Sequence, residues 1–435
     1  MAVKTKLQRE KEAAKVEKLV EREKAPLKVV APKKEKEDKN APPPRGDRID
    51  IVKARINKAF NGKGAILSGD EFYNTFMLRR PTGITDLDIA IGGGWPAGGL
   101  SQLIGEDNSG KTYLADRTML ETQIIYGPDS AIAACMTESK FDKRFAKEKV
   151  GVQIAFSKLE LEMMDEARAR FGLPVLTDEN KAWYRHQIGH FQEAVFSTAE
   201  QVLEAAVQLI EENVFQIVLI DSFGALLTAA EAESKEGLEG RHYGGASGVI
   251  TQFMHRLHAA LNLPDKYNRP NTTTVLGINQ YRENLKAGGN QYADPLQIAG
   301  GRALKHGKLV DVLLKKGAKI RTGQNKELVV GKEINWSVIK GKAGCHDGGS
   351  GTYRFYYGEH GYGFGADIYH NLLMAGVQSG VIEQSGAWYS FQGERVCQGQ
   401  DNAAYAFMQN PALVQRVRDA VFVANKLDFI VKETF

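Results

Sequence analysis

The sequence predicts an α/β fold: a mainly parallel central sheet covered by helices, with a basic arm before it and a small α+β domain after it. Three observations predict this. Short apolar runs alternate with amphipathic stretches from Ile49 onward; a Gly-rich motif joins one such run to one such stretch; and composition changes after Gly341, where Gly and Tyr crowd residues 343–366. Strand–helix alternation needs crossover connections, which lay successive strands parallel.

The arm comes first. Residues 1–45 hold 14 Lys/Arg against 8 Asp/Glu, so the basic excess of a chain with net charge +4 sits there and the body is nearly neutral. Residues 1–24, rich in Lys, Glu and Ala, suit a weak solvated helix. Pro26, Pro32, Pro42, Pro43 and Pro44 make residues 25–45 a linker. The segment reads equally as a solubilising tail and as an arm touching DNA or a neighbouring subunit.

Residues 46–340 form the core domain. Strands are expected at Leu100–Ile104, Ala131–Met136, Gln216–Ile220, Thr273–Ile278 and Leu309–Leu314, with helices between them at Thr112–Tyr126, Ala199–Glu212 and Val249–Leu261. Residues 341–435 form the small domain. Its elements are a helix over Ile368–Val377, a hairpin over Ala387–Cys397 turning at Gly393, and helices over Asn402–Met408 and Pro411–Asn425. Pro411 suits a first helical position, where its missing N–H costs nothing.

Composition excludes several classes. A hydrophobic fraction of 43% in 435 residues supports an ordinary buried core. No stretch of about 18 apolar residues occurs, so no membrane span or membrane partner is expected. The opening MAVKTKLQRE lacks the apolar centre of a signal peptide. Cys135, Cys345 and Cys397 are too few and too scattered for a disulfide framework or zinc site, which fits a reducing cytoplasm.

Gly105-Glu106-Asp107-Asn108-Ser109-Gly110-Lys111-Thr112 fits the phosphate-loop pattern G-x-x-x-x-G-K-[ST]. Glycines let the backbone N–H groups close on phosphate oxygens, and the helix beginning near Lys111 adds its positive end. Lys111 would reach the β- and γ-phosphates of a nucleotide, and the Thr112 hydroxyl would ligate Mg²⁺. The apolar run Val218-Leu219-Ile220 ends in Asp221, a candidate to hold the magnesium through water. Ala131–Met136 runs into Thr137-Glu138. Ligands gather at the carboxyl ends of parallel strands, so Glu138 is a candidate base for the attacking water. A Gly-rich turn and a surface Glu opening a helix are the plain alternatives.

These residues resemble the bacterial RecA recombinases. Leu87-Asp88-Ile89-Ala90-Ile91-Gly92 running into Gly105–Thr112 is similar to that family's entry to its core, and Ile220-Asp221-Ser222-Phe223-Gly224 to its magnesium strand. Ile278-Asn279-Gln280-Tyr281-Arg282 and Gly300-Gly301-Arg302-Ala303-Leu304-Lys305 resemble the two ends of its second DNA-binding loop. Gly386-Ala387-Trp388-Tyr389-Ser390 is similar to its carboxy-terminal domain. The resemblance spans about residues 60–425 and implies a RecA-like phosphate-loop ATPase core. It also implies an ATP- and Mg²⁺-dependent recombinase, filamentous with itself on single-stranded DNA, that pairs this DNA with a homologous duplex.

The resemblance further implies roles. Glu138 would activate water. Asp142 and Phe145 would contact and stack on adenine, Phe145 replacing the usual Tyr but keeping a ring face. Gln280 would sense the γ-phosphate, and Lys340 and Lys342 would reach into the next subunit's ATP. DNA would lie along a first loop containing Arg241, His242 and Tyr243. A second loop would contribute Arg282, Lys286, Asn290 and Gln291 and close at Gly300, Gly301 and Arg302.

Departures mark a divergent member, for which a phage origin is one reading. The segment between Phe145 and Asp221 is longer than the family norm, with extra material around Leu159–Gln192; Arg302 stands where an uncharged polar residue is usual; and no long acidic tail follows Val431. Two rivals stay open on the residues alone: a ring-forming helicase built on the same core, and a non-catalytic DNA-binding protein that keeps a nucleotide fold.

Overall fold

Runs without polar alternation, such as Ala131-Ile-Ala-Ala-Cys-Met136, suit strands buried on both faces of a parallel sheet. The computed structural model describes residues 45–59, 77–137, 140–232, 245–265, 267, 269–283 and 296–427. Helix α1, Arg45–Ala59, belongs to an amino-terminal unit ending at Ile66, and most of its side chains are exposed. All other described elements belong to the unit Leu67–Phe435.

That unit opens with β1 (Arg79–Arg80), α2 (Thr85–Ala90) and β2 (Trp95–Pro96), where β1 and β2 pair as a short ribbon. The motif-bearing pair follows, β3 (Gly99–Gly105) and α3 (Lys111–Tyr126), then β4 (Ala131–Met136) and a π-helical turn, Phe145–Val150. Next come α4 (Lys158–Arg170), α5 (Asp178–Arg185), β5 (His190–Val195), α6 (Ala199–Glu211), β6 (Ile217–Asp221) and the single turn α7 (Ala229–Ala232). Helix α8 (Gly245–Asn262) leads to β7 (Thr274–Asn279). The ribbon β8 (Tyr281–Glu283) and β9 (Leu296–Ile298) precedes α9 (Gly301–Gly307) and the long strands β10 (Val310–Thr322) and β11 (Leu328–Gly341).

The central sheet has nine strands, ordered β13-β12-β11-β10-β3-β7-β6-β4-β5, where β12 is Ser350–Tyr357 and β13 is Phe364–Ala366. From β10 through β5 every pairing is parallel; β10–β11, β11–β12 and β12–β13 are antiparallel. Two-residue alternation sorts the core. Ile132, Ala134 and Leu219 pack with Leu114 and Met119 of α3 on one face. Ala133, Cys135 and Val218 pack with Val202 and Leu203 of α6 and Phe253 and Leu257 of α8 on the other. Truncating Leu257, fully buried, to Ala would cost roughly 2–5 kcal/mol.

The sheet reaches further than its apolar runs. Strand β10 continues eight residues past Leu314 as a half-exposed stretch, and β11 and β12 alternate buried and exposed positions. Strands with one solvated face lack a continuous apolar run and so escape that pattern. The composition change after Gly341 therefore coincides with the end of β11 but not with the end of the sheet, which includes residues up to Ala366.

Beyond it lie α10 (Ile368–Gln378), an antiparallel sheet of β14 (Ile382–Ser385), β15 (Trp388–Phe391) and β16 (Glu394–Gln398), and helices α11 (Ala403–Gln409) and α12 (Pro411–Ala424). They enclose a core of their own around Leu373, Phe391, Phe407 and Val421. The β15–β16 turn is Gln392-Gly393, both at positive φ (52° and 82°), the geometry a two-residue hairpin needs. The extra segment forms α4 and α5, capped by Ser157 and Thr177, over a small core of Phe156, Leu161, Leu176 and Tyr184. No helix among the described residues is long and apolar enough to cross a membrane.

Candidate nucleotide-binding site

The turn from β3 into α3 is built around its loop residues. Asn108 (φ 57°) and Gly110 (φ 96°) take left-handed conformations, and the Ser109 N–H donates to the Glu106 carbonyl at 3.2 Å. Gly110 caps α3 with no side-chain partner, so the first N–H groups of the helix have no competing side-chain oxygen there. Lys111 is nearly buried. Its ammonium donates to the carbonyls of Gly105 (2.9 Å) and Glu106 (2.7 Å), and Lys332 of β11 donates to the Asn108 carbonyl at 2.5 Å.

A cavity of about 330 Å³ opens over this loop and is lined by Asp107, Asn108, Lys111, Thr112, Asp142, Asp221 and Gln280, among others. Those residues come from the α3 start, the segment after β4, and the carboxyl ends of β6 and β7, so parallel strand ends converge there. Its donors are oxygen groups: the exposed Thr112 hydroxyl, Asp221, and an orphaned buried carboxylate oxygen on Asp116. Such a set suits a hard cation such as Mg²⁺. Among the described residues no three His, Cys, Asp or Glu side chains approach closely enough to grip a metal directly.

The other expected residues divide. Glu106 lies in the loop, and its Oε1 accepts from the Tyr281 hydroxyl at 2.7 Å. Phe145 packs edge-on against Phe364 (5.6 Å between ring centroids), and its N–H donates to Asp142 Oδ1 at 2.9 Å. Lys340 and Lys342 are not brought to Lys111. With Gly301, Arg302 and Lys305 they line a second cavity of about 670 Å³. The Lys340 ammonium donates to the carbonyls of Lys305 (2.5 Å) and His306 (3.2 Å) at the end of α9; burial, aided by nearby Lys342, Lys308 and Lys305, lowers its pKa to about 8. Gly300 and Gly301, both at positive φ, turn the chain from β9 into α9. Arg282 is placed on β8 by its backbone. Glu138, Arg241, His242, Tyr243, Lys286, Asn290 and Gln291 lie outside the described residues.

Two residues were not singled out from the sequence. Asp116 of α3 lines the nucleotide cavity, and burial, then Asp221, then Asp142 push its carboxyl well above the usual carboxylate range. The available signal was its spacing, one helical turn after Thr112. Tyr281 joins the phosphate loop to the strand after Gln280, and nothing in its residue type announced that.

A profile described as the RecA N-terminal domain matches residues 47–166 and 157–348, and one described as the RecA C-terminal domain matches 370–426. The chain belongs to the RecA family. Protein RecA of Saccharopolyspora erythraea is 28% identical over 383 residues, covering 88% of this chain and 93% of the relative. Protein RecA of Streptococcus agalactiae is 29% identical over 382 residues (87% and 86%), and that of Bacillus pumilus 28% over 374 (86% and 91%). Among solved structures, the crystal structure of the RadB recombinase overlaps 63% of this chain and 96% of its own at 19% identity, with a TM-score of 0.35. By family, then, this is a divergent RecA-type recombinase.

Proposed function

We propose that this RecA-family chain binds ATP with Mg²⁺, polymerises as a helical filament on single-stranded DNA, and pairs that DNA with a homologous duplex while hydrolysing ATP. The observation that carries the reading is the convergence of Lys111, Thr112, Asp221 and Gln280 on one cavity, with Gln280 immediately preceding the ribbon that bounds the second loop. Lys111, held on loop carbonyls, swings onto the β- and γ-phosphates; Thr112 and Asp221 would hold a magnesium ion, which would supply positive charge beside the phosphates. Asp142 and Phe145 meet the adenine. Glu138 orients the attacking water, and Gln280 relays the γ-phosphate to the second loop.

That Lys340 and Lys342 line a cavity other than the one Lys111 lines supports their acting on a neighbour's nucleotide across a filament seam. Arg241, His242, Tyr243, Arg282, Lys286, Asn290, Gln291, Gly300, Gly301 and Arg302 hold the DNA backbone and bases. The small number of cysteines, none of them disulfide-bonded, supports a reducing cytoplasm. The test is electron microscopy plus strand exchange with ATP, Mg²⁺ and single-stranded DNA, for the wild type and Lys111→Ala. Filaments and exchange that vanish in Lys111→Ala are expected. Closed rings would favour a helicase, and unchanged DNA-dependent hydrolysis in Lys111→Ala would overturn the site.

A further inference from the structure

Helix α3 carries an acid that the phosphate-loop pattern does not ask for. Asp116 lies four residues after Thr112, hence on the same helix face, and is 2% exposed. Its Oδ1 is buried and has no hydrogen-bond partner among the described residues, yet the side chain lines the cavity that Thr112 and Asp221 also line. A buried acid retained for packing alone is normally hydrogen-bonded or paired. Among the described residues Asp116 makes no ion pair, and Lys111 of the same cavity donates to the carbonyls of Gly105 and Glu106. Arg117, next in sequence, is turned to Glu121.

Charge adds a second argument. Four acids, Asp107, Asp116, Asp142 and Asp221, line the cavity against two ammonium groups, Lys111 and Lys140; even with the Asp116 carboxyl pushed towards its neutral form, three carboxylates face two ammonium groups. A polyphosphate entering alone would meet excess like charge, which an accompanying divalent cation removes. Mg²⁺ keeps several of its waters in such sites, and water lets it reach acids that form no direct cluster of three ligands, which is the case among the described residues here.

Resting on the nucleotide reading above, we propose that Asp116 is a second carboxylate for the divalent cation that accompanies the nucleotide, acting beside Asp221 through the cation's water shell. The cation requirement of nucleotide binding is thereby set by two acids, one at a strand end and one on the helix.

The experiment titrates Mg²⁺ against a fluorescent, non-hydrolysable ATP analogue bound to the full chain. It compares wild type, Asp116→Asn, Asp116→Leu and, as reference, Asp221→Asn, with Mn²⁺ replacing Mg²⁺ for a direct spin-resonance readout. Both Asp116 variants should raise the half-saturating Mg²⁺ concentration roughly tenfold or more, the scale of one lost charge-assisted contact, without lowering the thermal midpoint. A merely structural role would lower the thermal midpoint and weaken binding at every Mg²⁺ concentration while leaving the Mg²⁺ midpoint in place, and that result overturns the proposal. So does a wild-type Mg²⁺ midpoint in both Asp116 variants when Asp221→Asn shifts it. If wild type itself shows no Mg²⁺-dependent binding, the nucleotide reading fails first.

Discussion

Asp311→Ala should destabilise the protein more than any surface charge change. Asp311 opens β10, and its Oδ2 lies 2.8 Å from the Lys308 ammonium; the two side chains are 6% and 2% exposed. Lys308 also donates to Gln102 Oε1 at 2.7 Å. Burial lowers the Lys308 pKa and raises that of Asp311, and in both it is the largest cause, ahead of their mutual attraction. Desolvation therefore outweighs the Coulombic gain, the regime in which removing one partner strands a buried charge at a cost of roughly 3–5 kcal/mol. Retaining Gln102 as an acceptor puts the expectation near the lower figure, about 3 kcal/mol. The same reasoning makes Lys308→Met/Asp311→Leu close to neutral, because both charges leave together. Urea unfolding of Asp311→Ala gives the first figure, and that of Lys308→Met, Asp311→Leu and their combination measures the coupling. Asp311→Ala losing less than about 1 kcal/mol, the range of an exposed pair, would refute the argument.

Tyr281→Phe removes the hydroxyl that donates to Glu106 while keeping the ring; ATP binding without DNA should persist while stimulation of hydrolysis by single-stranded DNA drops several-fold, read in a steady-state ATPase assay. Burial raises Asp88 to about 7 and Asp86 to about 6, so the folded state holds these protons more tightly than the unfolded chain. Their contribution to stability is present below pH 4 and falls as pH rises towards 7. Asp88→Asn keeps the oxygen that accepts from the Thr82 N–H and should be more stable than wild type at pH 8 but not at pH 4, checked by denaturant melts. With Lys340 titrating near 8, ATP-dependent assembly should weaken between pH 7 and 9 by light scattering, and Lys340→Arg should retain assembly at pH 9.

The phosphate loop, the five strands of the doubly buried half-sheet and the hairpin at Gly393 were legible because each rests on local signals: a motif, an unbroken apolar run, a turn residue. Strand β5 and strands β11 to β13 were not: β5 is only half-buried, Lys332, Glu333 and Asn335 interrupt the apolar pattern of β11, and β12 and β13 likewise mix buried with half-exposed positions. The site's membership was legible where motif and strand end coincide, as at Lys111 and Asp221. Asp116 escaped because a single Asp on a helix is ordinary until its burial is known. Lys340 and Lys342 carry no sequence mark of which cavity they line, and the fold assigns them to the one beside α9.

The hydroxyl of Tyr281 on Glu106 ties the turn between β3 and α3 to the ribbon beyond β7 across 175 positions of chain. A movement of either partner must be felt by the other or break the tie. Were this chain to bind triphosphate at one end of the tie and polynucleotide at the other, thermodynamic reciprocity would work in both directions: whatever factor polynucleotide added to the grip on triphosphate, triphosphate would return in equal measure.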